Sequence, residues 1–200
     1  MATTAATDMF LSHDWGEDRK TNHEKVARIN KALQQLGYTT WFDQERMTGN
    51  IKDQIANGIE NTKCFIAFIT EKYHNKVVHA NDTDYCRLEF NYASNKGIPM
   101  IAIVLESSMK DTGNWKGNVG LSLSTKMYVN MTGDIYDQMY LTKQLGLLRK
   151  MLDDKNIRPS NNLKSREKGK NIFFLYIPHL LFAPHLHCFD AAYFLSVENI

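Results

Sequence analysis

The residue whose type and place most invite chemistry is Glu89. With about 100° of helical rotation per residue, the segment 84–95 sets Leu88, Tyr92, Tyr85, Ala93, Cys86 and Phe90 on one arc and Arg87, Asn91, Ser94 and Asn95 opposite. Glu89 falls in the middle of the apolar arc. Burying an ionised carboxylate without a partner costs several kcal/mol, about 3 or more, so a Glu placed there has a specific partner or faces a ligand crevice. That makes Glu89 the first candidate for chemistry. The structural alternative is an interaction with the helix amino end or a buried Arg. A second polar cluster, Ser12-His13-Asp14-Trp15, follows the apolar run Met9-Phe10-Leu11. Capping by short polar side chains is the alternative role for Ser12 and Asp14, and packing at a sheet edge for His13 and Trp15.

The elements that must position these groups follow from periodicity. Met9-Phe10-Leu11 reads as a buried strand. The next segment is a helix with Asn22 as N-cap, Val26, Ile29, Leu33 and Leu36 on one stripe, and Gly37 as a left-handed C-terminal cap. Residues 38–42 are β-branched and aromatic and form a second strand. A polar loop leads to a helix carrying Ile51, Ile55 and Ile59. Residues 64–69 and 100–105 are apolar without alternation, the pattern of strands covered on both faces of a parallel sheet. Between them lie a polar loop through Asn81 and the Glu89 helix, which Gly97 and Pro99 stop. A long loop with Gly113, Trp115, Gly117 and Gly120 precedes a weak fifth strand, 126–130, and an amphipathic helix carrying Ile135, Met139, Leu145, Leu148 and Leu152.

Alternating strands and helices imply an α/β fold: a flavodoxin-like five-stranded parallel sheet of order 2-1-3-4-5 with helices on both faces. Its ligand crevice lies at the carboxyl ends of strands one and three, where residues 12–15, 70–73, the loop 43–50 and the first turns of the Glu89 helix meet. Residues 1–7 are expected to be a flexible terminus, 8–155 the folded domain, and 156–200 an appended apolar tail with no assigned role.

Composition removes several function classes. Lys and Arg number 24 against 22 Asp and Glu, interspersed rather than blocked, so the basic stripe of a nucleic-acid or membrane-surface protein is missing. Cys64, Cys86 and Cys188 are odd in number and far apart, which argues against a disulfide framework or zinc knuckle and fits a reducing, cytoplasmic setting. Residues 1–7 have neither a basic residue nor an apolar run, and position 2 is Ala, so neither a signal peptide nor a myristoylation site is expected. The Phe- and Leu-rich segment 172–189 is interrupted by Pro178, Pro184 and three histidines, leaving no run of about 20 apolar residues for a membrane span. His185 and His187 have no third ligand placed near them, so no metal is expected. An acceptor Asp at the end of strand three, a phosphate loop after strand one, GxGxxG and Walker motifs are all missing, which sets aside receiver, flavodoxin, dinucleotide and kinase-like readings.

Asp8-Met9-Phe10-Leu11-Ser12-His13 with Gly16-Glu17-Asp18, then Phe42-Asp43 with Met47-Thr48-Gly49, then Tyr85-Cys86-Arg87-Leu88-Glu89 resemble the successive boxes of Toll/interleukin-1 receptor (TIR) domains. The resemblance covers residues 8–154. Many TIR domains cleave NAD+ with a glutamate four residues after an aromatic in the third helix, positions held here by Glu89 and Tyr85. It implies that Glu89 is catalytic, that Phe10, Ser12, Trp15, Asp43, Tyr85 and Cys86 contact the substrate, and that NAD+ is a substrate with no cofactor required. It also implies that Glu45, Arg46, Met47, Thr48, Gly49 and Asn50 belong to a loop that contacts a neighbouring TIR domain in a homo-oligomer. Tyr85 stands where Trp is frequent in the family. Non-enzymatic TIR adaptors, which signal through homotypic contacts alone, are the alternative; they usually lack the glutamate.

Overall fold

In the computed structural model of the chain, the described residues are 6–42 and 50–161. Strands β1 (Met9–Ser12), β2 (Thr40–Trp41), β3 (Phe65–Ile69), β4 (Met100–Val104) and β5 (Tyr128–Asn130) form one parallel sheet in the expected order β2-β1-β3-β4-β5. A parallel sheet must be covered on both faces, and successive strand residues here feed two separate cores. Met9, Leu11, Ile66, Phe68, Ile101 and Ile103 pack against Val26, Ile29 and Leu33 of α1 (Thr21–Gln35) and Leu141, Leu145, Leu148 and Leu152 of α6 (Gln138–Asp153). On the other face Phe10, Phe65, Ala67, Ile69, Ala102 and Val104 meet α2 (Ile51–Glu60), α3 (Glu71–His79), α4 (Tyr85–Asn95) and α5 (Gly117–Leu123).

The chain between β3 and α4 is not the polar loop its composition suggests. Thr70 caps α3, its hydroxyl accepting from the Tyr73 backbone N–H at 2.9 Å, and Tyr73 and Val77, one turn apart, are buried. The glycine-bearing stretch before β5 likewise folds, as two 3-10 turns (Ser107–Met109, Thr112–Asn114) and α5. Gly120 is required there, because a Cβ at that position would sit 2.3 Å from the Trp115 carbonyl oxygen. Gly37, with φ of 88°, makes the left-handed turn out of α1 into β2. Two positions differ from expectation at the helices' edges. Met139 is 82 % exposed and Leu141 takes the inward place in α6. Asn22 lies inside α1 and turns back to Asp14, while Asp18 accepts from the backbone N–H groups of Lys20 and Thr21.

Contacts with the sheet continue past Lys155. Ile157 is buried, the Asn161 N–H donates to the Gly37 carbonyl at 3.0 Å, and Ser160 donates from its backbone N and its hydroxyl to the Asp8 carboxylate at 3.0 and 2.6 Å. Lys63 Nζ joins the same carboxylate at 2.8 Å. Burial pushes the Asp8 pKa up, but the bonds from Lys63 and Ser160 outweigh it and hold the carboxyl below its ordinary value.

Candidate active site

The site is built where β1 and β3 end and α4 begins, the crevice position of an open α/β sheet. Asp84 starts α4: its Oδ1 accepts from the backbone N–H of Cys86 at 2.9 Å and of Arg87 at 3.4 Å, while Oδ2 pairs with Lys76 Nζ at 3.2 Å. Burial opposes charge on Lys76, yet the hydrogen bond and charge of the Asp84 carboxylate hold its ammonium above the usual value. One turn beyond Tyr85, Glu89 is 8 % exposed, and Ser12, the last residue of β1, donates its hydroxyl to Glu89 Oε2 at 2.6 Å. The same hydroxyl oxygen lies 2.9 Å from the phenol of Tyr73.

Glu89 opens onto a crevice of about 440 Å³, whose walls are His13, Trp15, Ile51, Ile55, Lys76, Asn81, Thr83, Asp84, Tyr85 and Cys86. That size is in the range of small-molecule sites. Trp15 and Tyr85 are 44 % and 43 % exposed, so two aromatic faces stand at its lip. Trp15 is braced by a stack on His23 with ring centroids 4.2 Å apart, and His23 in turn meets His13, Nδ1 to Nε2, at 2.9 Å. His13 is buried, which together with the positive charge His23 can carry pushes its pKa down to about 4. Cys86 donates its S–H to the His13 carbonyl at 3.5 Å; burial, reinforced by the Glu89 charge, keeps the thiol protonated. The loop is fixed from below by Asp14, fully buried, which accepts from the Gly16 N–H at 2.7 Å, Asn22 Nδ2 at 3.0 Å and the Thr70 hydroxyl.

Among the residues expected to meet substrate, Trp15, Tyr85 and Cys86 line the crevice with Glu89, and Ser12 touches Glu89 itself. Phe10 does not reach it. Its ring has no exposed surface and is stacked between Trp41 and Phe65, at 4.1 and 5.5 Å, because a mid-strand side chain enters a core while the crevice begins past the strand's end. Asp43, Glu45, Arg46, Met47, Thr48 and Gly49 lie outside the described residues. Asn50, expected in the same loop, is the N-cap of α2, its side chain accepting from the Lys52 N–H. Tyr73 falls in the stretch 70–73 expected at the crevice but was not singled out; Lys76 and the α2 residues Ile51 and Ile55 were not anticipated. For Tyr73 the available signal was Thr70, a capping residue right after the third strand, which places an aromatic within the first helical turn. Among the described residues, no group of three or more His, Cys, Asp or Glu is placed to hold a metal ion, and no helix is long and apolar enough to cross a membrane. Cys64 and Cys86 are free thiols.

Fold and site together define a doubly wound α/β domain with a buried carboxylate at the crevice. A sequence model of the TIR domain matches residues 9–145, and the chain belongs to the TIR domain family. Solved structures similar to it include the TIR domains of the activated Roq1 resistosome directly recognizing the pathogen effector XopQ, at 16 % identity over 82 % of this chain and 92 % of that one, with a TM-score of 0.42. A metazoan TIR-STING receptor from C. gigas is similar at 14 % identity and a TM-score of 0.44, over 75 % of this chain and 49 % of that one, so the chain spans about half of that receptor. No curated protein matches.

Proposed function

We propose that this TIR domain is an NAD+ nucleosidase of cytoplasmic signalling, releasing nicotinamide at Glu89 and working through association with other TIR domains. The observation that carries the reading is Glu89 itself: a carboxylate inside an apolar helix face, held by Ser12 at 2.6 Å and opening onto a crevice with Trp15 and Tyr85 at its lip. Nicotinamide in NAD+ is a cationic pyridinium that departs neutral, so cleavage of the N-glycosidic bond leaves positive charge on the ribose in an oxocarbenium-like transition state. A fixed carboxylate beside the ribose stabilises that charge, and an aromatic face orients the departing ring. Water, or another nucleophile, then attacks the ribosyl carbon. No step calls on a metal or a resident cofactor. The test is incubation of the purified chain with NAD+ at high protein concentration, with nicotinamide followed by chromatography. Nicotinamide release that rises with enzyme supports the proposal; none above the spontaneous rate overturns it and leaves a non-enzymatic TIR adaptor.

A further inference from the structure

The hydroxyl of Ser12 stands between two groups. It has one proton and two lone pairs. An ionised Glu89 accepts only, so the Ser12 proton is committed to Glu89 Oε2 across 2.6 Å. The contact of 2.9 Å between Ser12 Oγ and the Tyr73 phenol must then run the other way, with Tyr73 as donor. The phenol is completely buried, and burial above all raises its pKa far beyond the ordinary range, so it keeps its proton at any working pH. The result is a one-way chain, Tyr73 O–H to Ser12 O–H to the Glu89 carboxylate. Three elements contribute one member each: α3, β1 and α4.

Tyr73 is itself held. Its backbone N–H donates to the Thr70 hydroxyl at 2.9 Å, and that hydroxyl donates to the buried Asp14. The phenol oxygen therefore sits at a place set by the helix start, not by a rotatable surface side chain.

We propose that Tyr73 is a positioning residue that acts through Ser12 to fix Glu89, orienting the serine hydroxyl toward the carboxylate and strengthening its hydrogen bond. In a hydrogen-bond chain each donor polarises the next, and donation to a carboxylate favours its ionised form. Without the phenol, the serine hydroxyl has other orientations open to it, and the carboxylate loses part of its stabilisation. In catalysis this affects the charged form that faces the ribosyl cation, a role that rests on the NAD+-cleaving reading. The hold on Glu89 does not depend on it.

Among the described residues, the other charged and titratable groups gathered here include Asp84 and Cys86 of α4's start, Lys76 of α3, and His13 and Asp14 of the loop after β1. None is altered by Tyr73→Phe, which removes one oxygen. The decisive experiment titrates Glu89 in the full chain by NMR of 13C-carboxyl-labelled glutamate, its signal assigned by its loss in Glu89→Gln. Tyr73→Phe is expected to raise the Glu89 midpoint by about half a pH unit, and to add no rise in a Ser12→Ala background. An unchanged midpoint, or the same rise with Ser12 absent, overturns the proposal and makes Tyr73 a packing residue. Should Tyr73→Phe fail to fold, 3-fluorotyrosine at position 73 keeps the shape and sharpens the donor; the midpoint is then expected to fall, and no change overturns the proposal. In turnover, Tyr73→Phe is expected to lower kcat about tenfold with KM for NAD+ within about twofold. A wild-type chain that releases no nicotinamide but shows the titration shifts defeats the NAD+ reading alone and leaves the hold on Glu89 standing.

Discussion

Replacing Glu89 by Gln keeps the size of the side chain and an acceptor for the Ser12 hydroxyl, but removes the charge. Nicotinamide release should fall about a hundredfold or more, the loss seen when one preorganised electrostatic group is removed, while the thermal unfolding temperature stays close to that of wild type. Wild-type turnover in a folded Glu89→Gln chain would sink the catalytic assignment. His13 sets a pH limit on the fold that is independent of catalysis. Its pKa is about 4 when folded and about 6.5 when unfolded, so between those values the unfolded state binds more protons. Stability is complete above about pH 6.5 and drains away as pH falls toward 4, by about 3 kcal/mol in total. Urea unfolding of wild type and His13→Asn at about pH 7 and about pH 4.5 checks this, the variant being expected to lose the smaller amount. Glu89 was legible in the sequence because a charge on an apolar helical arc contradicts its surroundings. Tyr73 was legible only as part of the stretch 70–73 at the crevice, since a tyrosine near a buried strand looks like any core aromatic until the atom its hydroxyl meets is known.

At the scale of elements, legibility followed the density of apolar side chains. β3 and β4 announce themselves with five consecutive buried residues each, whereas α3 fully buries only Tyr73, His74 and Val77 and carries Glu71, Lys72 and Lys76 among the rest. In α5 two glycines hide the helix, one of them demanded by the Trp115 carbonyl. The last contacts among the described residues, from Ile157 to Asn161, have no periodicity at all, yet they close the buried Asp8 carboxylate. A chain ending after Asn161 should therefore keep the stability of the full-length protein. Ending it at Lys155 removes Ile157 from the core and two donors from Asp8 and should cost about 3–5 kcal/mol, from lost apolar burial and an under-bonded buried carboxylate. Chemical denaturation of the two truncated chains decides it; equal stabilities would mean that the Ser160 clasp contributes nothing.

For the whole molecule, the sheet order was legible because short right-handed crossovers leave few ways to arrange five parallel strands. What covers the mouth of the crevice was not, because the described residues leave its lip open. Trp15 and Tyr85, 44 % and 43 % exposed, leave apolar ring surface at the lip, the kind of surface that a neighbouring molecule covers. Residues 43–50, with Glu45, Arg46 and Gly49, are the segment that the TIR resemblance assigns to self-association. When only the assembled state closes the site, the monomer binds NAD+ with an affinity reduced by the small fraction that is competent, and assembly removes that handicap. Nicotinamide release per molecule should then climb across a hundredfold increase in protein concentration, or on adding a crowding agent. Gly49→Pro, or charge reversal at Glu45 or Arg46, should flatten the climb and lower activity at fixed concentration without unfolding the domain. Specific activity that is constant over the whole dilution series, together with normal turnover in Gly49→Pro, would show that one chain builds its site alone.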